Sequence, residues 1–317
     1  MRRASCLTLL LVVACGHVVP LGEDREVAPT SMTEATDAGA IGTLDAATAS
    51  VAPRVRCDPA AAFGALTAVT LPTLPLNLEL FRASSGGAGV ISLFDEDDNG
   101  AHGLRSFQLV GGAVTNVGSI GSAYDDKTLD QASLSADGRT LFLTRTKDPN
   151  DSDLLFARRD AVDQAFPAPT PILHAGLTDG LFGPYLVGRR LYFSRLPKRG
   201  NETVMVADFD PVAGAITNAM EVGALAPAIG IRWAPAVTED ELEVFFAHGI
   251  TENDAQVMHA TRPSVNVSFG APTFVVGPPT GGNGFDYPTW ISDDACTLWV
   301  VSNRGDAPAV LMRATRE

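Results

Sequence analysis

Five times, at a spacing of about fifty residues, the chain returns to a short apolar run rich in β-branched and aromatic residues. The runs are Val90 to Phe94, Leu141 to Thr144, Leu191 to Ser194, Val244 to Ala247 and Leu298 to Ser302. Runs of this length and composition read as strands. A recurrence at this period means repeating units, each too small to bury its own apolar face, stacked as blades or as coils of a solenoid.

The last unit shows the pattern best. Tyr287 to Ser292 is a strand, Asp293-Asp294-Ala295 a turn, and Thr297 to Ser302 and Ala309 to Thr315 two further strands. A fourth strand is missing there, and it stands at the other end of the repeats. Phe63-Gly64-Ala65-Leu66-Thr67-Ala68-Val69 matches the fourth strand of an earlier unit, Phe269-Gly270-Ala271-Pro272-Thr273-Phe274-Val275, with Phe166-Pro167-Ala168-Pro169 a looser relative. A chain that begins with an outer strand and ends one strand short can close a ring by pairing its two ends in one blade, which limits exposed sheet edges. The expected fold is therefore an all-β propeller of about five four-stranded blades, six being the alternative, closed by the N-terminal outer strand.

Residues 57–317 form this domain, and they are numerous enough for a substantial core. Ahead of them, residues 1–14 carry basic Arg2 and Arg3, an apolar run from Leu7 to Val13 and a small residue, Ala14, before Cys15. This reads as an export signal, too short to span a bilayer as a helix. Val12-Val13-Ala14-Cys15 resembles the lipobox of bacterial lipoproteins, which implies cleavage before Cys15 and lipidation of its sulfur. An ordinary secretory signal cut elsewhere is the other reading. Residues 15–56, rich in Ala, Thr, Pro and acids, lack sustained periodicity and read as a disordered tether. The formal charge of −14 becomes near −16 once Arg2 and Arg3 leave, which disfavours nucleic acid.

Besides Cys15, the exported chain keeps only Cys57 and Cys296. Cys57 lies just ahead of the N-terminal outer strand and Cys296 at the start of the second strand of the last unit. Second and fourth antiparallel strands begin at the same end of a blade. The residues from Cys57 to Phe63 can cover the two-strand gap of about 10 Å. A disulfide would staple the closing blade; two buried thiols are the alternative.

The turn chemistry carries a family resemblance. Ala132-Ser133-Leu134-Ser135-Ala136-Asp137-Gly138-Arg139-Thr140-Leu141-Phe142-Leu143-Thr144-Arg145 resembles the WD40-like repeat of TolB-type propellers, an apolar strand, Ser, a Pro-Asp-Gly turn and a strand ending in Ser and Arg. Pro288-Thr289-Trp290-Ile291-Ser292-Asp293-Asp294 and Ser302-Asn303-Arg304-Gly305 match it again, while Ala234 to Asp240 is a weaker copy and Pro184 to Gly188 a shortened one. The glycine of an Asp-Gly turn accepts the positive φ that tight hairpins need. The resemblance implies a binding platform and specifies activity hardly at all.

Candidate sites follow from the architecture. Linkers into the innermost strands converge on one mouth of a propeller, and they carry Asp125, Asp126, Asp130, Asp179, Arg232, Trp233, Asp286 and Tyr287. Asp130, Asp179, Arg232, Trp233, Asp286 and Tyr287 form the candidate ligand-binding mouth, with the two aromatics able to stack on a sugar or peptide. Paired acids there would make a glycan-active or lactone-active hydrolase, the rival reading. Asp95, Asp97 and Asn99 in Asp95-Glu96-Asp97-Asp98-Asn99-Gly100 alternate oxygen ligands before a glycine, as calcium loops do. The later acid of such loops is missing, Gly103 and Ser106 standing in its places, so a solvated acidic tip is the other reading. Asp148, Asn150, Ser152 and Asp153 repeat the pattern loosely. The histidines lack metal-ligand spacing, and His248 and His259 read as surface residues; Trp290 and Trp299 read as core. No catalytic residue is assigned. The expected role is an exported, lipid-anchored binding or scaffold module for an envelope protein or glycan, touching the membrane through its lipid alone. It would act as a monomer and without a cofactor unless calcium fills the acidic loop.

Overall fold

The computed structural model describes residues 56–317, apart from 72–76, 85–86, 96–100, 125, 127, 149–150, 175, 178, 198–200, 226–230, 251–253, 276–283 and 304–307. The apolar runs become the second strands of five blades. The chain enters through β1 (Thr67–Ala68) and builds blade I from β2 (Asn77–Ala83), β3 (Ala88–Asp95), β4 (Ala101–Val110) and β5 (Ala113–Ser119). Blade II is β6 (Leu129–Leu134), β7 (Thr140–Asp148), β8 (Asp151–Arg158) and β9 (Thr170–Pro171). Blade III opens with a short outermost strand, β10 (Leu173–His174), followed by β11 (Gly180–Val187), β12 (Arg190–Leu196), β13 (Thr203–Asp210) and β14 (Ala215–Glu221). Blade IV is β15 (Ile231–Val237), β16 (Glu243–Gly249), β17 (Gln256–Thr261) and β18 (Thr273–Phe274), and blade V is β19 (Asp286–Ile291), β20 (Thr297–Ser302) and β21 (Val310–Thr315).

The innermost strands β2, β6, β11, β15 and β19 each lie against the next, and β19 lies against β2, so the sheets form a closed five-bladed propeller. Blade V is completed by β1, which pairs antiparallel with β21 at Thr67 opposite Arg313 and Ala68 opposite Met312. Cys57 and Cys296 are joined by a disulfide with Cα atoms 5.1 Å apart, across that closing blade. Aromatic rings fill the seams between blades. Phe81 of blade I stacks on Trp299 of blade V at 5.2 Å, Phe142 of blade II meets Phe209 of blade III edge-on at 5.0 Å, and Phe63 of the N-terminal segment meets Phe245 of blade IV at 5.8 Å. Blade III departs from the four-stranded expectation because β10 runs parallel to β14 as a fifth strand and covers its edge.

The repeat has a visible hydrogen-bond logic at the turn after the innermost strand. In blade II the Ser135 hydroxyl donates to Asp137 Oδ1 at 2.5 Å, and the Arg139 and Thr140 amides donate to Asp137 Oδ1 and Ser135 Oγ. Blade IV repeats it with Thr238 and Asp240, and blade V with Ser292 and Asp294. The residue after the aspartate has positive φ each time: Gly138 at 66°, Glu241 at 58° and Ala295 at 58°. The motif therefore survives loss of its glycine, because the side-chain oxygens hold the turn closed.

Candidate functional site

Every innermost strand also carries a register shift against its neighbour, between Leu78 and Leu80, Asp130 and Ser133, Phe182 and Tyr185, Trp233 and Ala236, and Pro288 and Trp290. A bulge bends a strand and re-aims the side chains that follow it. Two residues before each turn, the strands now carry Arg82, Ser133, Tyr185, Ala236 and Trp290 as equivalent positions. Four of these five, all but Ala236, line a cavity of about 410 Å³. All five blades contribute to it, with Ser84, Ser135, Val187 and Ile291 above the layer and Asp137, Glu239, Asp293, Arg158 and Arg189 also among its lining. The cavity is a funnel at the turn end of the central channel.

Its floor is unusual. Arg82 is only 1% exposed, yet it sits on a strand between Phe81 and Ala83. Its Nη1 donates to the Pro235 carbonyl at 2.8 Å, and its guanidinium lies over the Tyr185 ring, 4.6 Å from the centroid. Burial lowers the Arg82 pKa from 12.5 to about 10, against a smaller opposing effect of the Tyr185 hydroxyl, and burial raises Tyr185 to about 12. The side chain is therefore a cation at neutral pH. Asp137 is pushed up by partial burial, but its bonds from Ser135 and Arg139 outweigh this and draw it below the ordinary carboxylate range. It is an ionised acid committed to its turn.

The six residues expected at the mouth stand at the opposite end of the inner strands, on the order of 15 Å away along them. Only Asp179 lies in a linker. Asp130, Arg232, Trp233, Asp286 and Tyr287 belong to the strands themselves, because Asp130 pairs with Thr144, Arg232 with His248, Trp233 with Ala247, Asp286 with Ser302 and Tyr287 with Val301. The structure brings Trp233 and Tyr287 together, centroids 4.3 Å apart, with Phe285 stacked on Tyr287 at 4.1 Å. Asp130, Arg232, Asp286 and Tyr287 are all buried, and burial lowers the Arg232 pKa to about 10 against the opposing charge of Glu221. Asp130 accepts a bond from the Gln131 amide, and Asp179 pairs with Arg195 at 3.6 Å inside blade III. Neither of the two clearest cavities, the funnel and a smaller one of about 210 Å³ between blades III and IV, is lined by any of the six.

Cys15, Asp97 and Asn99 lie outside the described residues, as do Asp125 and the side chain of Asp95. In the looser acidic copy, Asp153 is engaged by Lys147 at 2.7 Å and Arg145 at 3.3 Å. Among the described residues, no group of three His, Cys, Asp or Glu side chains is arranged to hold a metal ion. His259 is not a surface residue: its Nε2 lies 2.8 Å from Glu243 Oε2, and its ring stacks on Phe245. Trp290 packs in the core and also faces the funnel. Sequence reading missed Arg82, Ser133 and Tyr185, although an arginine inside an apolar innermost strand breaks the local pattern and marks the position.

No family model matches this sequence, and no curated protein matches it. Solved structures that it resembles include a thermostable family-43 glycoside hydrolase, 10% identical over 78% of this chain and 92% of that one, with a TM-score of 0.51. TolB from Acinetobacter baumannii is 12% identical over 76% of this chain and 54% of that one, with a TM-score of 0.42. A protein described as TolB from Agrobacterium tumefaciens is 14% identical over 79% of this chain and 78% of that one, also with a TM-score of 0.42. The chain thus spans about half the length of the Acinetobacter protein. At such identities the likeness speaks for the fold alone.

Proposed function

We propose that this chain is an exported, lipid-anchored binding module that takes part of an envelope glycan or protein into the funnel at the turn end of its channel. The observation that carries the reading is the funnel itself, a concave site of about 410 Å³ to which every blade contributes, with a buried cation at its base. Export and anchoring rest on Arg2, Arg3, the apolar run to Val13 and Val12-Val13-Ala14-Cys15. The hydrolase reading needs one carboxyl kept protonated beside an ionised partner. Asp137, the acid of the funnel lining with a shifted titration among the described residues, moves downward, which favours binding over general acid catalysis by that residue.

The test is retention of fractionated envelope material by the full chain against Ala136→Trp, which fills the rim at an exposed turn position and leaves Ser135 and Asp137 in place. Retention should fall with the funnel plugged. Equal retention by both proteins would remove the funnel from the account. Cys15→Ser should move the protein from the membrane fraction to the soluble exported fraction; a variant that stays with the membrane would refute the lipid anchor.

A further inference from the structure

Two of the buried arginines are met by carboxylates. Arg316 Nη2 lies 2.6 Å from Glu243 Oε1, and Arg262 Nη2 lies 3.2 Å from Glu241 Oε2. Arg82 is as deeply buried, but among the described residues no carboxylate pairs with it, and its Nε and Nη2 have no hydrogen-bond partner. Those two nitrogens share one edge of the guanidinium, the edge whose parallel N–H groups match both oxygens of a carboxylate. A second orphan lines the same cavity, the buried Ser133 hydroxyl. A desolvated cation with two unbonded nitrogens and a desolvated hydroxyl with no hydrogen bond are costly to keep. Both become satisfied if an anion enters from the funnel.

We propose that Arg82 and Ser133 form the anion subsite of the funnel and that it takes the carboxylate of an acidic saccharide of the hexuronate type. The proposal rests on the funnel being the binding mouth and adds the chemistry of what enters. Asp137, Glu239 and Asp293 line the same cavity, only partly offset by Arg158 and Arg189. These acids accept hydrogen bonds from hydroxyl groups and repel a ligand whose negative charge is spread along its length. A single carboxylate leading a neutral, hydroxyl-rich body suits both the floor and the lining, and a dianion such as phosphate suits only the floor. Trp290 supplies an apolar wall against which a sugar ring can lie.

The experiment is calorimetric titration of the full chain with galacturonate, its methyl ester, galactose, glutamate and inorganic phosphate. Galacturonate should bind at least about tenfold more tightly than the ester or galactose, the margin of a bidentate charged pair. Arg82→Met should abolish that preference without lowering the melting temperature, since it replaces an unpaired buried charge by an apolar chain of similar length. Ser133→Ala should weaken galacturonate alone, by a few-fold, and carries the test if Arg82→Met fails to fold. Equal binding of galacturonate and galactose overturns the anion subsite. Tighter binding of glutamate or phosphate overturns the saccharide. A lower melting temperature with the preference intact makes Arg82 structural. If none of the five binds while Ala136→Trp still reduces retention of envelope material, this inference falls and the binding mouth stands; if retention is insensitive to Ala136→Trp, the mouth itself falls.

Discussion

Glu243, at the start of β16, ties the segment before β1 and the segment after β21 to blade IV, and Glu243→Gln should loosen them together. Its carboxylate is fully buried and accepts from Arg316 Nη2 at 2.6 Å and Arg56 Nη2 at 2.5 Å on one oxygen, and from His259 Nε2 at 2.8 Å on the other. Arg316 lies beyond the last strand and Arg56 directly before Cys57, while Arg316 also donates to the Ala295 and Pro59 carbonyls and covers the Phe63 ring. Burial alone would push the Glu243 carboxyl up, but the bonds and charges of His259 and Arg316 outweigh it and lower the pKa from 4.5 to about 2. That difference is worth on the order of 3 kcal/mol of stability at neutral pH. Removing one partner of a buried ion pair costs a similar ~3 to 5 kcal/mol, because Arg316 is left charged and desolvated.

For a domain of this size, Glu243→Gln should lower the melting temperature at pH 7 by about 6 to 12 °C in scanning calorimetry. A folded-state pKa below the unfolded one means the stabilisation is complete above pH 4.5 and is lost as pH falls toward 2. The gap between wild type and variant should therefore close across that window. A shift under about 2 °C at pH 7, or a gap that stays constant down to pH 2, would show that the two segments are held by strand pairing and the disulfide without this carboxylate.

The disulfide closes a separation of 239 residues, so Cys57→Ser with Cys296→Ser, or reduction, should cost about 5 kcal/mol and lower the melting temperature by roughly 10 to 20 °C; an unchanged melt would mean that β1 pairing with β21 suffices. A Cβ on Gly89 would lie 2.1 Å from the Phe107 ring and 2.5 Å from the Arg82 carbonyl, so Gly89→Ala should cost about 1 to 3 kcal/mol in urea titration. Gly64→Ala, whose Cβ would stand 3.4 Å from the Thr315 carbonyl, should change little, and equal midpoints for the two variants would refute the packing argument. Asp294→Ala removes the acceptor of the Ser292 hydroxyl and the Cys296 amide and should cost about 1 to 3 kcal/mol; an unshifted denaturation midpoint would show that the turn holds without it.

The parts of the molecule legible in one dimension are those written in local pattern. Period-two and fully apolar runs from Val90 to Ser302 mark the second strands, because a strand buried between blades tolerates little else. Phe63 to Val69 standing alone at one end, and a three-stranded unit at the other, imply the shared blade. The bounds of the inner strands were harder to place. Asp130, Arg232, Trp233, Asp286 and Tyr287 lie near turn-forming residues and so read as linkers, yet ladder pairing extends each inner strand back through them.

Sequence alone therefore determined the second strands, the fivefold repeat and the shared closing blade, since each is written in one repeating pattern, whereas the fifth strand of blade III and the full length of the inner strands depend on pairing across the fold. Tertiary structure decided which side chains meet in the funnel at the turn end. Five bulges, one per innermost strand, turn Arg82, Ser133, Tyr185 and Trp290 toward one axis. These residues come from four blades spread over about two hundred positions, and no spacing rule in a linear chain encodes their meeting. The Glu243 cluster has the same origin, because Arg56, His259 and Arg316 converge on one carboxylate only after the ring has closed.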